Sequence, residues 1–305
     1  MARAAALGRA VRRGVSPNPG VGAVVETRDG RMFEGATEPP GRRHAEIVAL
    51  DAAGDAARDA TVWVTLEPCA HTGRTGPCAD ALIDAGVQRI VIGLEDPDPN
   101  VAGRGIAHLR AAGATVEVLD DRNIAQDLRA YLTHRRLGRP FVTLKLAMTT
   151  DGRTTPDVDQ WITGPAARAD GHRLRAENDA ILVGANTVRV DNPRLTTRDA
   201  PGPDPVRVVL GHAPPDAAIH PCIEVSGDLE AVLRDLGGRG ITSLLVEGGE
   251  TTGRALHDVG LVDEYVFYVA DARLDSVTRL WGLEVVDAAQ IGNDVRVTLV
   301  PRGER

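Results

Sequence analysis

The 305-residue chain is poor in several things, and each shortage excludes a class of function. Aromatic residues make up 3% of it, too few for the stacking platforms that hold single-stranded bases. Basic residues are outnumbered: 35 Lys and Arg against 43 Asp and Glu leave a net charge of −8, which argues against a general nucleic-acid binder. No run of about 18 apolar residues occurs, so no membrane span is expected. The stretch Met1–Gly14 carries Arg3, Arg9, Arg12 and Arg13 among alanines and lacks the apolar core of a signal peptide; it reads as an amphipathic first helix. Cysteine is scarce. Cys69, Cys78 and Cys222 form no disulfide framework, which points to a reducing, cytoplasmic setting.

What is present is concentrated. Two of the three cysteines, Cys69 and Cys78, follow the apolar strand-like run Val62–Leu66, and His44-Ala45-Glu46 lies upstream. One neutral imidazole and two thiolates suit zinc and leave its fourth position open, with a nearby carboxylate to move protons. That donor set with a non-ligand Glu is the layout of zinc deaminases. Its bland alternative is an ordinary helix start plus two buried thiols. Geometry sets a condition on the zinc reading. Positions i and i+2 do not share a helix face, so His44 and Glu46 reach one pocket only if His44 sits where the chain enters the helix.

The first half alternates: strands at Val21–Glu26 and Met32–Gly35 around Asp29-Gly30, a helix at His44–Ala53, a strand at Thr61–Leu66, a helix at Cys78–Ala85, and a strand at Arg89–Leu94. A helix at Ile106–Ala112, a strand at Thr115–Leu119 and a single helix at Asn123–Arg136 complete it. The pattern breaks near Thr133–Pro140 and resumes with a strand at Phe141. Helices are then expected at Ala166–Ala176, Leu229–Leu236 and Thr252–Val259, and strands at Ala180–Val183, Val206–Leu210, Thr242–Val246, Glu264–Val269 and Val295–Val300. The fold class is α/β, as two layered domains at 1–137 and 138–305.

Longer motifs carry a resemblance. Pro17-Asn18-Pro19-Gly20-Val21-Gly22, His44-Ala45-Glu46, the stretch from Thr65 through Glu67-Pro68-Cys69 to Cys78, and Asp96 through Gly105 follow one another in the first half. Leu144-Lys145-Leu146-Ala147, Asp151-Gly152-Arg153, Trp161-Ile162-Thr163-Gly164, Leu182 through Val188, Asp191 through Arg198 and Val246-Glu247-Gly248-Gly249 follow in the second. In this order they resemble the bifunctional riboflavin-biosynthesis deaminase/reductases. The eight residues between Cys69 and Cys78 fit that branch better than the two usual in cytidine and tRNA-adenosine deaminases.

The resemblance implies a cytidine-deaminase-like zinc domain followed by a dihydrofolate-reductase-like domain using NADPH. His44, Cys69 and Cys78 would bind one zinc per chain and Glu46 would transfer protons. Asn18, His71 and Arg74 would touch the pyrimidine or its ribose phosphate. In the second half Asp159, Arg175, Leu195, Arg198 and Glu247 would meet the substrate. Lys145, Ala147, Trp161, Thr187, Asp191, Gly249, Glu250, Thr251, Thr252 and Gly253 would meet the cofactor, with Asp191 also a candidate proton donor. The partners implied are a small pyrimidine ribosyl phosphate and further copies of the chain, with neither nucleic acid nor membrane.

The residues themselves allow blander roles. Each Arg could be solvated surface, Lys145 an ion-pair member, Asp191 a cap beside Asn192-Pro193, and Trp161 a core residue. The second half departs from the family pattern: Asp159 stands where Ser is usual, and Asp271 through Asp275 replaces a Pro-x-Leu-x-Gly segment. The alternative is therefore a deaminase whose degenerate C-terminal domain serves binding or assembly.

Overall fold

The structure, a computed structural model, describes residues 1–70, 76–154, 161–198, 200–247, 249–272 and 282–302. The chain splits into two compact units, Met1–Gly138 and Arg139–Arg305.

The first unit is built on a five-stranded sheet of order β2-β1-β3-β4-β5. Its strands are β1 (Gly22–Glu26), β2 (Met32–Ala36), β3 (Thr61–Leu66), β4 (Arg89–Leu94) and β5 (Thr115–Val118). β1 runs antiparallel to β2 and β3, while β3, β4 and β5 are parallel. The near-continuous apolar run of β4 has the buried character of a parallel strand covered on both faces. Helices α1 (Ala2–Val15), α2 (Ala45–Ala53), α3 (Cys78–Asp84), α4 (Arg104–Ala111), α5 (Arg122–Asp127) and α6 (Arg129–Leu137) flank it. α2 lies against β1 and β2 through fully buried Ala45 and Ala49.

The single helix expected at Asn123–Arg136 is two. Asp121 caps α5 through bonds from the Asn123 and Ile124 N–H groups, and Leu128 leaves helical geometry at φ −96°, ψ 6°. α6 then stops at Gly138, which takes the left-handed conformation at φ 69° before Pro140.

The second unit carries an eight-stranded sheet, β12-β13-β11-β6-β10-β7-β8-β9. Its strands are β6 (Phe141–Met148), β7 (Ala180–Gly184), β8 (Val206–Leu210), β9 (Ile223–Val225), β10 (Ser243–Val246), β11 (Glu264–Val269), β12 (Glu284–Ile291) and β13 (Asp294–Val300). All pairings are parallel except the β13 contacts with β11 and β12. Helices are α7 (Pro165–Glu177), α8 (Ala185–Asp191), α9 (Leu229–Gly238) and α10 (Glu250–Asp258). Apolar clusters line the sheet, and β11 buries three of the few aromatics, Tyr265, Phe267 and Tyr268.

Sequence patterning does not show α8, β9 or β12. α8 buries Val188 alone, so it has no apolar stripe. β12 is mostly exposed, so it lacks the alternation that marks a half-buried strand. Among the described residues no helix is long and apolar enough to cross a membrane.

Candidate active site

In the first unit, His44 is the N-cap of α2, with extended backbone at φ −77°, ψ 163°. This meets the geometric condition set by the sequence. The imidazole projects from outside the helix while Glu46 projects from its first turn, so both face one cavity of about 550 Å³. Cys69 follows β3, and Cys78 is the first residue of α3. The His44 Nδ1 atom lies 3.3 Å from Cys78 Sγ and 3.7 Å from Cys69 Sγ. The three ligand atoms all lie within 4.8 Å of one another.

That geometry fits zinc. Bonds of roughly 2.0–2.1 Å to nitrogen and 2.3 Å to sulfur put tetrahedral N and S ligands about 3.6 Å apart. The backbone N–H of Cys78 also points at Cys69 Sγ, at 3.5 Å. The Cys69 thiol is pulled down to about 4 by the hydrogen bond from Cys78, with His44 adding to it. The Cys78 thiol is pushed up by its bond to Cys69 and by burial. A bound metal ion would take both sulfurs as thiolates. Replacing Cys78 with serine is therefore expected to lower zinc content well below one per chain. Full occupancy by metal analysis would exclude Cys78 as a ligand.

Glu46 is 4% exposed, and burial pushes its carboxyl up to about 7. A carboxyl poised near neutrality can both take and return a proton. Asn18 lines the same cavity. His71 and Arg74 lie outside the described residues. Glu67, Asp96, Tyr131 and Arg135 are among the lining residues that carry no role in the sequence reading. Tyr131 Oη donates to both carboxylate oxygens of Asp96, at 3.1 and 3.0 Å. Arg135 lies over the Tyr131 ring at 5.2 Å and pairs with Asp98 at 3.5 Å. Glu67 and Asp96 stand inside quoted motifs, which was the available signal. Tyr131 and Arg135 come from α6 and give no local signal.

In the second unit the candidate residues gather at the carboxyl ends of the adjacent parallel strands β6, β10 and β7, where α/β sheets commonly bind ligands. Glu247 follows β10 with a side chain 9% exposed. Arg175 donates to it through Nε at 2.8 Å and Nη2 at 2.9 Å, and its Nη1 donates to the Thr196 carbonyl at 3.1 Å. The Arg175 guanidinium fork, expected from the resemblance to meet the substrate, thus lies on Glu247. Lys145 Nζ is 3.7 Å from the same carboxylate and 5.7 Å from the centre of the Tyr268 ring. Burial alone would raise the Glu247 pKa, but Lys145 and Arg175 outweigh it and hold the carboxyl at about 2.

Gly249 is the N-cap of α10 and, lacking a side chain, gives that helix no cap of its own. Glu250, Thr251, Thr252 and Gly253 form its first turn. Thr187 Oγ1 lies 3.9 Å from where a Gly249 Cβ would stand, and Thr252 Oγ1 only 2.7 Å from the Cβ position of Gly184. The N–H groups of a helix start of this kind are what a phosphate would pair with. Ala147 is half-buried on β6.

Other residues sit further out. Trp161 is not a core residue: it is 54% exposed, with Arg168 stacked on it at 5.2 Å. Asp191 is the exposed last residue of α8, ahead of Asn192 in the left-handed conformation. Leu195 is buried at φ 52°, a backbone state unusual for a residue with a side chain. Arg198 is exposed. Asp159 and Gly248 lie outside the described residues, as does the segment from Arg273 to Asp275.

Known proteins match both units. The cytidine and deoxycytidylate deaminase zinc-binding region matches residues 1–94, and the RibD C-terminal domain matches residues 140–287. The riboflavin biosynthesis protein RibD of Escherichia coli is 38% identical over 98% of both chains. The chain belongs to the RibD family. RibD of Mycobacterium tuberculosis is 40% identical over 94% of this chain and 92% of its own. Among solved structures, Acinetobacter baumannii RibD superposes with a TM-score of 0.90 at 34% identity, covering 99% of this chain and 98% of that one. A Thermotoga maritima diaminohydroxyphosphoribosylaminopyrimidine deaminase/5-amino-6-(5-phosphoribosylamino)uracil reductase gives 0.87 at 33% identity, covering 99% and 97%. RibD membership makes the chain a riboflavin-biosynthesis enzyme with a zinc-binding deaminase domain and a reductase domain. No match favours the deaminase-only alternative.

Proposed function

We propose that residues 1–137 deaminate a diaminopyrimidinone ribosyl phosphate by hydrolysis, and that residues 138–305 then reduce its ribosyl chain to ribityl with NADPH. The carrying observation is the His44, Cys69 and Cys78 trio beside buried Glu46 in one cavity. Zinc, when bound, supplies a water activated for attack at neutral pH. Glu46 takes the proton from the attacking water and delivers it to the departing amino group. Asn18, with His71 and Arg74, holds the pyrimidine and its ribose phosphate.

NADPH, when bound, supplies the hydride. Gly249 and the first turn of α10 hold its phosphates, with Thr187, Ala147, Trp161 and Asp191 along the cofactor. Lys145 and Glu247 orient the sugar, Arg175 fixes Glu247, and Asp159, Leu195 and Arg198 complete the substrate side. NADPH rather than NADH, Asp191 as proton donor, a cytoplasmic location and self-association rest on the family resemblance.

Mass spectrometry of products from the diaminopyrimidinone ribosyl phosphate tests both halves. Without NADPH the expected product is the deaminated pyrimidine with its ribosyl chain intact. With NADPH the product gains a hydride and a proton. Deamination without reduction when NADPH is present would leave a deaminase alone.

A further inference from the structure

Glu67 lies between β3 and the ligand Cys69, and lines the same cavity. It is 4% exposed. Its carboxylate accepts three backbone N–H groups: Asp96 at 3.2 Å and Gly103 at 3.0 Å on Oε2, and Ile106 at 3.1 Å on Oε1. Asp96 opens the loop that leads into α4; Gly103 is the N-cap of α4 and Ile106 lies in its first turn. One carboxylate therefore grips both ends of that loop.

The grip has a clear physical basis. Helix starts leave N–H groups without intrahelical partners and carry partial positive charge. α4 receives no side-chain cap from its own N-cap residue. Glu67, just past the end of β3, supplies one through its carboxylate. The contact is also close: a Cβ on Gly105 would stand 1.9 Å from the Pro68 carbonyl oxygen. α4 thus rests on the peptide that leads into Cys69. The loop is knitted internally as well, by Asp98 N–H to Asp96 Oδ1 at 2.9 Å and Val101 N–H to the Asp98 carbonyl at 2.8 Å. Asp96, Asp98 and Val101 line the deaminase cavity.

We propose that Glu67 is a positioning residue of the deaminase: it locks the Asp96–Val101 wall of the cavity to the segment bearing Cys69, and so sets affinity for the pyrimidine. The substrate named here rests on the function proposed above. Glutamine in its place keeps one acceptor oxygen but turns an NH2 group toward N–H groups that need acceptors, so the loop loosens at one end. Aspartate keeps the charge with shorter reach.

The test uses full-length zinc-loaded enzyme with Glu67→Gln and Glu67→Asp. For Glu67→Gln, KM in deamination is expected to rise about tenfold to a hundredfold with kcat much less changed. Zinc stays at one per chain and the NADPH-dependent rate is unaltered. Glu67→Asp falls between this variant and the wild type. Amide exchange at Asp96, Gly103 and Ile106 speeds up in both variants. An unchanged KM in both, loss of zinc, or a fall in kcat alone overturns the proposal. Unchanged exchange at those amides overturns it too. A wild-type enzyme that leaves the pyrimidine untouched strikes the assigned substrate instead, and amide exchange still decides the clamp.

Discussion

Glu46→Gln is expected to lower kcat for deamination by about a hundredfold to ten-thousandfold, the range ascribed to a positioned proton-transfer group. The amide occupies nearly the same volume in a slot where Glu46 is 4% exposed, so the fold should hold. It cannot carry a proton between water and the leaving amino group. The three ligands His44, Cys69 and Cys78 are untouched, so zinc should remain at one per chain. Reduction in the other unit should proceed at its normal rate. Steady-state ammonia release, with metal analysis on the same sample, decides the matter. Deamination at the wild-type rate would remove Glu46 from the mechanism.

Arg175→Ala is expected to cost about 3–5 kcal/mol of stability, the usual result of stripping one partner from a buried ion pair. Glu247 would keep Lys145 at 3.7 Å, which places the loss toward the lower end. NADPH-dependent reduction should fall sharply while deamination is spared. The same pairing dictates the acid response. Burial opposes ionisation of Glu247, yet Lys145 and Arg175 hold its pKa at about 2, below the ordinary 4.5. A depressed carboxyl contributes stability that is fully present above about 4.5 and is lost as pH falls through about 2. Without Arg175 the loss should begin at higher pH. Urea unfolding at pH 7 and pH 3, followed by amide exchange in β6 and β10, measures both effects. A variant as stable as wild type at both values would show that the pair does not hold the unit together.

The metal centre was legible because its chemistry needs particular side chains at short spacings. His44, Glu46, Cys69 and Cys78 all lie in two brief motifs, and helix geometry required His44 at the helix entrance if it and Glu46 were to share a pocket. The cavity's far wall was not legible. Tyr131 and Arg135 come from a helix that sequence patterning merges with α5, because its apolar spacing runs on through Leu128. Arg175 and Glu247 were read as separate substrate contacts, since nothing local announces a partner 72 positions away. Elements that bury little, such as α8 and β12, leave no periodic trace.

The placement of α6 bears on how the enzyme can be divided. That helix furnishes Tyr131 and Arg135 to the deaminase cavity and ends at Gly138, with β6 opening at Phe141. A shortened deaminase fragment ending where the zinc-region match stops, at residue 94, would have its ligands and acid but an open-sided pocket. Excision after Gly138 is the cut that would leave the catalytic chamber whole.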